Sequence, residues 1–192
     1  MNYSLRTLVL IGGALLLPAL LLQAADDKKK DGTAVELDGL KSKAPADWKT
    51  EPTTNQMRAY QFKLPNAKDE KANAELIIFY FGPGGGGSAE ENVKRWKGMM
   101  APPQGKKIDD VAKVDKFKVG DVAVTYLDVE GTYLAKERPF DPNSKVEKKP
   151  DYRMLGVVFE SPKGPYFMRV TGPAKTVAEQ KKAFDGWLKN FK

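Results

Sequence analysis

Two long apolar runs, YRMLGVVFE (152–160) and YFMRVTG (166–172), are separated only by SPKGP. A connection that short joins antiparallel neighbours, because a parallel pair needs a crossover of about a dozen residues or more. The hairpin commits the chain to an antiparallel sheet, and the remaining segments must be fitted around it. MRAYQFKLP (57–65) alternates, with Tyr60, Phe62 and Leu64 on one face and Gln61 and Lys63 on the other. AELIIFYF (74–81) has no polar interruption after Glu75, the pattern of a strand covered on both faces. AVELDG (34–39) and VAKVDKFKV (111–119) read as further strands, the second with Val114 out of step with Phe117 and Val119. VAVTYLDVEGTYL (122–134) alternates as well. Its polar Asp128 points to Ala123, Thr125, Leu127 and Val129 as the inward set.

Helical spacing occurs twice. Val93, Trp96 and Met100 follow one another at three and four residues within 88–100, and Val177, Phe184, Trp187, Leu188 and Phe191 form one stripe within 176–191. Ser88 with Glu91, and Thr176 with Glu179, are spaced as capping boxes at the two helix starts. Strands and helices do not alternate regularly. The expected fold is therefore α+β, a single antiparallel β-sheet packed by two main helices, in one domain over 33–192.

What precedes that domain is of a different kind. Arg6 is followed by TLVLIGGALLLPALLL (7–22) and a small residue at Ala24, the order of a secretory signal over 1–24. An uncleaved membrane anchor is the alternative, although Gly12, Gly13 and Pro18 interrupt a run shorter than the ~20 residues a spanning helix needs. A charged stretch, 25–32, is expected to be a disordered lead-in. The chain is expected to be exported, to a periplasmic or extracellular site.

The chain contains no cysteine and no histidine. Disulfides, lipid attachment at a cysteine, thiolate or imidazole metal sites, and triads built on histidine are all excluded. Lys and Arg outnumber Asp and Glu by 32 to 25, spread along the chain rather than clustered. That pattern reads as a solvated lysine-rich surface, with an acidic partner or anionic surface as the alternative, and no nucleic-acid partner is expected.

FYFGPGGGGSAEENVKRW (79–96) carries Gly82, Gly84 and Gly87 at the G-x-G-x-x-G spacing. The fingerprint fails on context: PPQGKKI before Asp109 cannot be the second parallel strand that a ribose-binding acid would end. Ser88 stands where a phosphate-binding loop needs lysine. The expected capping box would occupy the helix donors, and Glu90 and Glu91 would repel an anion there. The glycines are read as a connector or a mobile flap, and no cofactor or metal is expected.

Candidates for a partner surface are Gly84, Gly85 and Gly86 in that loop, Asn92 and Arg95 on the helix behind it, Trp48 in a Pro-flanked segment, and Phe140 in the long 135–150 connection. Trp96 and Trp187 lie on apolar stripes and read as core. Asp109, Asp110, Asp115, Asp128 and Glu130 are the carboxylates from which a hydrolytic pair would be drawn.

The element order resembles that of small exported bacterial proteins of unassigned function with a PsbP-like α/β/α sandwich. The resemblance rests on APADW (44–48), the strand ending LP, AELIIFYF, the helix with Trp96, and DYRMLGVVFESPKGPYFMRVTGP leading into GWLKNF. It implies accessory, assembly or binding roles and no shared catalytic site. The expectation is an exported, non-enzymatic binding or assembly-accessory protein whose partner is a protein or envelope component. A carboxylate-dependent, hydrolase-like enzyme and a binder of polyanions or anionic surfaces are the alternatives.

Overall fold

The computed structural model describes residues 31–53, 55–138, 141 and 143–192. The expected signal segment (1–24), the expected lead-in up to residue 30 and Phe140 lie outside the described residues. The first elements are β1 (Ala34–Leu37) and β2 (Leu40–Lys43). Asp38 and Gly39 between them both have positive φ, 52° and 85°, as a two-residue Asp-Gly hairpin turn requires. This pair forms a sheet of its own, so the expectation of a single sheet is corrected to two. LKSK in β2 has no apolar alternation to announce a strand.

The second sheet has eight strands. In chain order the elements are β3 (Lys49–Thr50), β4 (Arg58–Leu64), β5 (Ala74–Tyr80), α1 (Ala89–Lys97), β6 (Met100–Ala101), α2 (Ile108–Val111), β7 (Ala112–Val119), β8 (Val122–Lys136), β9 (Val146–Ser161), β10 (Gly164–Pro173) and α3 (Ala174–Lys189). Across the sheet the order is β3-β4-β5-β10-β9-β8-β6, with β7 also paired to β8. Every pairing is antiparallel.

The sheet is covered on both sides. On one side α3 lays down Val177, Phe184, Trp187, Leu188 and Phe191 against Phe62, Leu76, Ile78, Leu155, Val157 and Phe159, with Val35 and Leu37 of β1 in the same cluster. On the other side Trp96 and Ala89 of α1 meet Leu127, Val129, Met154, Val158 and Phe167. The alternation in β8 therefore has two inward sets. Leu127 and Val129 face α1, while Val122, Val124 and Tyr126 are buried under α3. Asp128 shares the face of Tyr126 and does not mark it as solvated.

The 135–150 connection is shorter than the sequence indicates, because β8 runs on to Lys136 and β9 begins at Val146. A register shift between Gly131 and Tyr133 absorbs Pro150 and Asp151, the latter with φ 54°. A proline with no N–H to give is accommodated at such an irregularity. The connection, now 137–145, lies at the opposite end of β9 from the glycine loop. Val146 pairs with Lys136 at one end, and Ser161 pairs with Gly164, beside Gly82, at the other. Sixteen residues of strand hold the two loops roughly 50 Å apart.

Candidate functional site

The glycine loop is tied down by name. Gly85 N–H donates to the Gly82 carbonyl at 3.1 Å. Asn92 Nδ2 donates to the carbonyls of Gly86 and Ser88, both at 2.9 Å. Gly86 has φ 85°, and a Cβ on it would overlap Phe167; a Cβ on Gly85 would overlap Phe81. These glycines let the loop fold back onto two aromatic rings. Gly84, with φ 69°, has open space around it. Ser88 and Glu91 form the expected box: Ser88 N–H donates to Glu91 Oε2 at 2.8 Å and Glu91 N–H to Ser88 Oγ at 3.2 Å. Those bonds, the backbone N–H of Ser88 first, hold the Glu91 carboxyl below its ordinary range.

Two of the candidate surface residues are corrected by burial. Asn92 is 2 % exposed and spends its amide on the loop, while its Oδ1 accepts from Arg95 Nη1 at 3.1 Å. Trp48 is 4 % exposed, edge-on to Trp187 and beside Phe62 and Phe184, with Nε1 donating to Gln180 Oε1 at 3.1 Å. Neither presents a side chain to a partner. The second capping box is corrected too. α3 starts at Ala174 behind Pro173, and Thr176 is buried, its Oγ1 accepting from the Ala67 N–H at 3.1 Å.

Four of the five carboxylates considered for hydrolysis are engaged. Arg153 forks onto Asp128, with Nε–Oδ1 2.8 Å and Nη2–Oδ2 2.7 Å, and reaches Glu130 at 3.0 Å. Asp128 and Arg153 are only 14 % and 16 % exposed, as a fork of two charges taken out of water demands. Bonding to Asp128 raises the Arg153 pKa further. The cluster borders a cleft of about 480 Å³ beside α2. Asp110 caps the Lys107 N–H, Asp109 pairs with Lys97, and Asp115 is exposed on β7. Nearby, Tyr126 donates to Asp185 at 2.8 Å; burial first, then the Asp185 charge, pushes its pKa up.

The α1 side carries a different arrangement. α1 sits over β8 and β9, where Trp96 fills the space above Gly156. Toward β5 and β10 the same cluster takes in Phe167 and the half-buried Phe79. There Phe79 of β5 lies between two arginines. Arg58 Cζ and Arg169 Cζ are each 5.8 Å from its ring centroid. Phe81 stacks beside Phe79 at 6.0 Å and is 38 % exposed. Arg58 Nη1 donates to Gln61 Oε1 at 2.7 Å, and Arg169 Nη1 reaches only Met99 Sδ, at 3.5 Å. The Nε of each arginine is buried and has no partner. Among the described residues neither guanidinium forms an ion pair, whereas Arg138 and Arg153 both do. Toward the other end of these strands is a shallow cleft of about 280 Å³ lined by Lys63, Glu75, Tyr133, Lys149, Tyr152 and Thr171, among others, and by neither arginine. Thr171 is 5 % exposed and its Oγ1 is unpartnered.

Sequence reasoning missed this face for a definite reason. Simple alternation puts Arg58 with Tyr60 on the core side. An irregularity between Arg58 and Tyr60 moves it to the side of Gln61 and Lys63. Arg169 had left one signal, a lone cation within YFMRVTG.

No family model matches the sequence, and no curated protein matches it. Among solved structures, the chain is similar to cyanobacterial PsbP (CyanoP) from Synechocystis, determined in solution, at 14% sequence identity. The match covers 85% of this chain and 92% of that one, with a TM-score of 0.43. At that distance the reading of this chain rests on its own residues. Among the described residues no group of His, Cys, Asp or Glu is placed to hold a metal ion, and no helix is long and apolar enough to cross a membrane.

Proposed function

We propose that this is an exported, non-enzymatic binding or assembly-accessory protein that engages a protein partner through the β4-β5-β10 part of the α1-side face of its sheet. The observation that carries the reading is the pair of unpaired arginines flanking Phe79 on that face. A guanidinium left without a carboxylate while its Nε is buried is costly to maintain, and a partner's acceptors would offset that cost. The exposed ring of Phe81 adds apolar surface beside it. A hydrolytic reading has less to draw on, because Asp128 and Glu130 are both committed to Arg153.

Site-specific photo-crosslinking tests the proposal. A crosslinker at Gln61 in the full-length chain is expected to give an adduct with one partner, identified by mass spectrometry. The same group at Lys182 on α3 is expected to give none. Adducts from Lys182 but not Gln61, or turnover on a broad substrate panel, would contradict it.

A further inference from the structure

Resting on that reading of the face, we infer that Arg58 and Arg169 seat the carboxylates of an acidic peptide segment in the partner, with Phe79 and Phe81 as a shelf for an apolar residue beside them. The two guanidiniums come from strands on either side of β5 and converge on one ring. Each is a planar fork whose parallel N–H groups match a carboxylate. Their own protein contacts are few: one amide oxygen for Arg58 and one thioether sulfur, a weak acceptor, for Arg169. Elsewhere the chain pairs its buried guanidinium, as Arg153 shows with Asp128 and Glu130. The face thus presents charge and donors that the fold itself does not use.

The same face also carries acidic groups of its own, Glu51 accepting from the Gln61 amide that Arg58 bonds. Glu51 and Glu75 lie along it, and neither forms an ion pair with the arginines. The seat is also open rather than enclosed. Phe81 and Met57 are 38% and 39% exposed, and the Tyr80 N–H donates to the Met57 carbonyl, so both lie at its border. An open aromatic shelf beside two arginines suits a chain segment laid across it, since Arg and aromatic residues anchor protein interfaces.

The test is a titration of the full-length chain with an N-acetylated tetrapeptide of three glutamates and one phenylalanine. Its glutamine counterpart, inorganic phosphate and phosphatidylglycerol vesicles serve as comparison probes. Calorimetry gives affinity, and the arginine Nε–Hε NMR signals give the place. The expected result is saturable shifts at Arg58 and Arg169 with Arg153 unmoved, and binding about tenfold weaker or more for the glutamine peptide. Arg58→Gln and Arg169→Gln should each weaken the acidic peptide about tenfold, with unfolding and near-ultraviolet dichroism showing the fold retained. If Arg169→Gln does not fold, Arg169→Lys keeps the charge, loses the fork and should still weaken binding.

Equal response to the glutamine peptide, to phosphate or to vesicles would overturn the inference, as would shifts confined to other residues. The two levels separate cleanly. If the Arg58→Gln/Arg169→Gln double variant still gives the Gln61 crosslink, the carboxylate seat is wrong and the face reading stands. If the unaltered chain gives no Gln61 crosslink, the face reading itself fails.

Discussion

The indole of Trp96 occupies the space above Gly156 where a Cβ would stand. This contact sets where α1 rests on the sheet, with Phe167 of β10 in the same cluster. Gly156→Ala should force the two apart and destabilise the fold by about 1–3 kcal/mol, the usual cost of overfilling a packed core. A urea midpoint lowered with an unchanged slope is the expected readout.

Asn92 holds the glycine loop to the helix that follows it. Asn92→Ala removes the donor to the Gly86 and Ser88 carbonyls, with an expected cost of about 1–3 kcal/mol for acceptors left unsatisfied. Amide hydrogen exchange should quicken at 84–88 and leave β9 unchanged. Uniform quickening would mean that Asn92 matters to global stability only.

The start of α1 should be sensitive to acid. Bonds from Ser88 lower the folded-state pKa of Glu91 below its ordinary 4.5. A depressed carboxyl contributes stability that is fully present above the unfolded value and is lost as pH falls through the folded one. Stability should therefore decline as pH drops below about 4.5. Glu91→Gln, which cannot titrate, should flatten part of that decline in thermal melts run across pH.

The two spaced Ser/Thr-x-x-Glu motifs should behave differently. Thr176 is the buried acceptor for the Ala67 N–H, so Thr176→Val should cost about 1–3 kcal/mol. Glu179 closes no box at the start of α3, and Glu179→Ala should fall within about 0.5 kcal/mol of the parent, as ordinary surface changes do. Chemical unfolding of both variants separates the structural role from the sequence motif.

These contrasts show what could be read in the residues and what could not. The 152–172 hairpin and the α3 stripe were legible because their periodicity is set by burial, and burial is what the fold delivers. β2 was not, since a polar four-residue strand carries no periodic signal. The Thr176 motif misled because Pro173 lets the helix begin earlier and tertiary contact claims the hydroxyl. The inward face of β8 was half legible: Asp128 reads as solvated until Arg153, from the next strand, supplies its partner. The arginine face was hidden most deeply. A bulge decides the side on which Arg58 emerges, and no spacing in the sequence announces a bulge.

The most direct measurement is hydrogen–deuterium exchange of the full-length chain, free and bound to the partner recovered through Gln61. Protection confined to 57–63, 75–81 and 166–171 is the predicted result, with 137–145 and α3 unchanged. Protection centred on α3 or on 137–145, with Arg58, Phe79 and Arg169 unaffected, would contradict the assignment of the binding face.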